Sequence, residues 1–179
     1  MITQGTMVTL VATILVVGVS PARAQHTMPK PAPEMAALKF FDGSWTCEGL
    51  VPAGPMGPGG KSKGTVQSST DLGGFWQSGI VKSSMAGMPE FEGHFHMTYD
   101  PGNKNYVMLW VDNMGGWARE MSSGWQGDTI VFLGDAFMGG KKMGSRDTFV
   151  KNSSGGLMHK AALQMDGKWA SMGDETCKK

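Results

Sequence analysis

After Asp42 the chain alternates between apolar and polar residues with a period of two, and turn residues cut the alternation into short runs. Successive side chains of a strand point to opposite faces, so each run reads as a strand with one apolar face. The pattern predicts strands over residues 43–51, 61–71, 75–83, 90–99, 105–113, 116–123, 129–134, 144–152, 157–164 and 168–177. Between them fall DPGN, NMGG, WQGD, NSSGG and MDGK, all with tight-turn chemistry. One stretch has helical spacing instead: PEMAALKFF, with Met35, Leu38 and Phe41 on one side and Pro33 in the first turn. Eight to ten short antiparallel strands after a short helix make an all-β domain, either a sandwich or an up-and-down β-barrel.

The two cysteines favour the barrel. Cys47 lies in the first predicted strand and Cys177 in the last, and neither belongs to a C-x-x-C motif or neighbours a histidine. A disulfide between them brings the terminal strands together, as closure of a ring requires, and removes two open edges. A sandwich can also bring its ends together.

The N-terminus bears on where such a bond would form. An apolar run from Met7 to Val19 is followed by Ala22-Arg23-Ala24, which reads as a secretory signal peptide over 1–24 with cleavage before Gln25. The run is shorter than the roughly 20 residues of a membrane span, and no later segment is continuously apolar for that length. The expectation is a bacterial periplasmic or secreted protein with no membrane span after cleavage, in a compartment where disulfides persist. Residues 25–33, QHTMPKPAP, read as a flexible Pro-rich linker, and 34–179 as a single barrel domain.

Charge narrows the partners. With 16 basic and 15 acidic residues, and Arg23 leaving with the leader, the mature chain is neutral and has no basic cluster, which argues against nucleic acid.

Two stretches carry a resemblance. FDGSWTCEG, a short helix leading to a G-x-W on the first strand, resembles the opening of calycin-type barrels such as lipocalins and avidin-like proteins. FEGHFHMTYDPGNKNYVMLWVDNMG, Phe91 to Gly115, resembles the bacterial secreted proteins grouped as domain of unknown function 1579, and GTVQSSTDLGGFW fits the same group. The resemblance implies a calycin-like or lipocalin-like barrel and no established activity.

The candidate chemistry centres on His94 and His96, two residues apart and therefore on one strand face. A cupin-type metal site fails, because the position expected for its glutamate is Asp100, committed to the turn before Pro101. A looser zinc, copper or haem site would recruit His159 or Glu120 from other strands, or Asp112. The plainer reading has the histidines on a solvated outer face with Glu90, Glu92 and Thr98, while Phe91, Phe95, Met97 and Tyr99 face the core. Met85 and Met88, an M-x-x-M, suit Cu(I), but strand methionines are equally ordinary core or cavity lining. No G-x-S-x-G or H-E-x-x-H occurs, so an enzyme is not expected, nor a cofactor. The expected function is a non-enzymatic barrel binding a small apolar ligand in its interior or mouth, lined by Trp45, Trp76 and Trp110. The alternative is a metal or haem protein using His94 and His96. PAGPMGPGG (52–60) and SSMAGMPE (83–90) are expected at the mouth.

Overall fold

The computed structural model describes residues 28–54 and 57–179. The expected leader, 1–24, and the first part of the linker lie outside the described residues. Residues 28–32 have no regular structure, and Pro33 already opens a 3-10 helix, Pro33–Phe41.

Ten antiparallel strands follow: β1 (Gly43–Val51), β2 (Gly60–Asp71), β3 (Trp76–Met85), β4 (Phe91–Asp100), β5 (Asn105–Asp112), β6 (Trp117–Ser122), β7 (Thr129–Met138), β8 (Lys141–Lys151), β9 (Leu157–Met165) and β10 (Lys168–Lys178). Each pairs with its neighbour in sequence, and β1 pairs with β10, so the sheet is a closed up-and-down barrel. At this seam Cys47 lies opposite Cys177, and the two are joined by a disulfide.

The strand pattern extends further than the sequence predicts in one hairpin. β7 and β8 run four and three residues past the expected ends, and only Gly139 and Gly140 separate them. Both glycines have positive φ, 56° and 76°, the backbone that a two-residue hairpin turn needs and that glycine adopts without a Cβ penalty.

The helix closes one end of the barrel. Met35, Leu38 and Phe41 are buried against Trp45, Met97, Met108, Ile130, Phe132 and Leu157. Its backbone is tied to the barrel by indole and phenol donors from β1, β5 and the β6–β7 connection: Trp45 Nε1 to Phe41 O (2.9 Å), Tyr106 Oη to Glu34 O (3.1 Å) and Trp125 Nε1 to Ala37 O (3.1 Å). Burying these rings next to the helix stabilises the cap through apolar area, and the bond to Phe41 O satisfies a carbonyl that the helix end leaves open. Two glycines make room for inward aromatics, since a Cβ at Gly79 would collide with Phe95 and one at Gly93 with Trp110.

β5 is apolar on both faces. Tyr106, Met108 and Trp110 point inward, whereas Val111 on the outer face is 50% exposed beside its cross-strand neighbour Trp117, itself stacked on Phe137.

Candidate functional site

The β1–β2, β3–β4, β7–β8 and β9–β10 connections gather at the end opposite the helix and surround a cavity of about 400 Å³. Met85, Met138, Met143, Met165 and Met172 line it with Leu163, and the segment from Val51 to Gly54 and Gly59 form one wall. Both Gly/Pro/Met-rich stretches expected at the mouth contribute to it. Methionine is unbranched and polarisable, so these walls can adapt to an apolar guest, and the volume lies in the ordinary range of small-molecule sites.

Beneath this mouth the interior changes character. Inward positions of four strands carry Glu120, Ser145, Asp147, His159 and Glu175, between the methionines above and the aromatic core below. Cross-strand pairing fixes the layer: Glu120 lies opposite Gly134, Gly134 opposite Ser145, and Ser145 opposite Leu163 of the cavity wall. Glu175 lies opposite both His159 and Gly49, and Gly49 pairs with Ser62, which in turn faces Met85.

His159 is held from both sides. Its Nε2 is 2.6 Å from Asp147 Oδ1 and its Nδ1 3.0 Å from Glu175 Oε1, with the ring stacked on Phe149. Burial works against the imidazolium, but hydrogen bonds and charge from the two carboxylates outweigh it and raise the pKa to about 10. Glu120 has the opposite situation. It is fully buried beside Ser145 and Asp147, and neither its carboxyl oxygens nor Ser145 Oγ complete a hydrogen bond of good geometry. Burial first, then the charge of Asp147, pushes the Glu120 carboxyl up to about 9.

The sequence candidates are divided between the two sides of the wall. Trp45 and Trp110 point inward. Trp45 belongs to the helix-end core, and Trp110 stands nearer the mouth, where its Nε1 donates to Asp112 Oδ2 and its ring stacks on Phe91. Trp76 does not line the interior: the next residue, Gln77, turns inward and is buried, so strand parity puts Trp76 outside against His96.

His94 and His96 also lie on the outer face. His94 Nε2 is 3.0 Å from Glu92 Oε1, and His96 Nδ1 is 2.9 Å from Ser78 Oγ. The hydrogen bond with His94, then Lys82, holds the Glu92 carboxyl below its ordinary range. His159 and Glu120 are inside, so the four residues of the metal alternative do not converge. Among the described residues, the one set of three ligand atoms close enough for an ion is Cys47, Glu175 and Cys177, whose sulfurs are bonded to each other. Replacing both His94 and His96 with glutamine should change the unfolding free energy by about 0.5 kcal/mol or less, measured by urea titration. A loss above about 2 kcal/mol would show that these side chains do more than decorate the outer face.

The family described as "Protein of unknown function (DUF1579)" matches residues 30–179. No curated protein matches. Among solved structures, the chain is similar to that titled "Crystal Structure of Rv2717c from M. tuberculosis", with 13% identity over 84% of this chain and 99% of that one, at a TM-score of 0.63. At that identity the likeness speaks to the fold alone.

Proposed function

The chain belongs to the DUF1579 family, and from that premise we propose that it is an exported, non-enzymatic barrel that holds a small apolar ligand in its mouth. The observation that carries this reading is the methionine-lined cavity, open at one end of a barrel whose other end is sealed by the helix. A rigid wall with adaptable lining suits binding of an apolar body by dispersion and desolvation. Export to the bacterial periplasm or exterior is supported by the leader-like N-terminus and by the disulfide, a bond that persists in oxidising compartments.

Titration with N-phenyl-1-naphthylamine, a neutral dye that brightens in apolar surroundings, should show saturable binding with one site per chain. Ala170 lines the cavity, and Ala170→Phe would fill part of it, so this variant should bind at least tenfold more weakly. Binding that is not saturable, or equal in the variant, would overturn the reading.

A further inference from the structure

We propose that the ligand is a cationic amphiphile whose amine or ammonium head seats on the interior carboxylates Asp147, Glu175 and Glu120 while its apolar body occupies the methionine-lined mouth. This rests on the mouth-binding reading above and names the chemical class that the same site takes.

The first ground is the balance of charge. With Glu120 protonated, the Asp147 and Glu175 carboxylates face a single imidazolium, His159, so the layer keeps net negative charge. The basic side chains on neighbouring strands do not reach it: Arg146 packs outside over Trp169, and Lys151 lies at the helix end over Trp125 and Phe40. Arg119 and Lys160 occupy outward positions, next in sequence to inward Glu120 and His159. A carboxylate head would bring like charge into this surrounding, whereas an ammonium brings three donors and the opposite sign.

The second ground is independent of the charge count. Glu120 is 0% exposed, and its carboxyl lies against Ser145 and Asp147 without completing a hydrogen bond of full geometry to either. Polar groups buried with incomplete hydrogen bonds cost free energy that a better-placed partner would recover. Asp147 and Glu175, by contrast, keep 21% and 27% of their side-chain surface accessible although they face the barrel interior. Part of the surface of these two carboxylates is therefore open, and the register runs from Glu175 through Gly49 and Ser62 to Met85 of the mouth wall. Gly49 lets the backbone pack closely here, since a Cβ there would lie 2.6 Å from Asp174 O and 2.8 Å from Glu175 Cβ. A head on Asp147 and Glu175 also offers positive charge to Glu120 behind them, which is held protonated at neutral pH and would release its proton as the amine arrives.

Decylamine, decanol and decanoate share one apolar body and differ in the head. Calorimetric titration of the full protein at pH 7, below micelle-forming concentrations, should rank them amine, alcohol, carboxylate, with the amine at least tenfold tighter than the alcohol. Repeating the amine titration in two buffers of different ionisation enthalpy should reveal proton release. Glu120→Gln and Glu175→Gln, both nearly isosteric, should each reduce the amine-to-alcohol affinity ratio at least threefold, and the proton release should vanish in Glu120→Gln. If decanol and decanoate bind as tightly as decylamine, the cationic head is wrong while the apolar mouth stands. If none of the three binds, the mouth-binding reading fails and takes this inference with it.

Discussion

Removing the Cys47–Cys177 bond, by the double change to alanine, is expected to lower the unfolding free energy by about 4–5 kcal/mol, as the chain-entropy account gives for a loop of this length. The bond joins residues separated by 130 positions, so it restricts nearly the whole domain in the unfolded state. The β1–β10 seam has five register pairs, as few as β6–β7 and fewer than the nine between β1 and β2, and both cysteines are buried within it. Guanidinium unfolding of the variant beside the oxidised parent gives the difference. A loss under about 1 kcal/mol would mean that the backbone ladder of the seam suffices to close the barrel.

Alkaline destabilisation is the second large effect. Glu120 loses its proton near pH 4.5 in the unfolded chain but holds it to about 9 in the fold, so between those values the folded state binds the extra proton and rising pH favours unfolding. His159 acts with the same sign. Its contribution is fully present below 6.5 and is lost as pH climbs towards about 10. From pH 6.5 to 9 both losses operate together. One proton held differently is worth about 1.4 kcal/mol per pH unit, so a fall on the order of 1 kcal/mol per unit is expected after allowance for the accessible surface His159 retains. In acid the sign reverses through Glu92 and Asp100, whose depressed pKa values give stability that is lost as pH falls through them. Urea titrations at pH 6 and pH 9 should show the drop, and Glu120→Gln should shrink it. Parallel curves for parent and variant would mean that Glu120 titrates normally in the fold.

The strands were legible because alternation and turn chemistry agreed. In β4 the pattern put Phe95 and Met97 inside and His94 and His96 outside, and the fold has them so. The end of β7 was hidden because Gly139-Gly140 reads equally as a loose loop, although alternation continues through Ala136 and Met138. The polar layer was less visible, for a physical reason. β6, WAREMS, is inverted: Trp117 and Met121 face solvent while Glu120 is completely buried. Amphipathicity alone would turn this strand around. Only its register against β5, which sets Glu120 opposite Met108 and Ala118 opposite Trp110, assigns the faces correctly. Glu120 and His159 are therefore recognisable as unusual in the sequence, but not as parts of one interior layer.

The seam also fixes an order of events. Residues 43–51, among the first of the domain to be synthesised, find their second strand neighbour only in residues 168–178. Nine hairpins can pair locally as the chain emerges, but the ring stays an open, curling sheet until its last strand exists. A nascent chain stopped before Lys168 has no partner for the free edge of β1 and no second cysteine to close it, so the domain is committed to remaining unfinished, and threadable, until synthesis is complete.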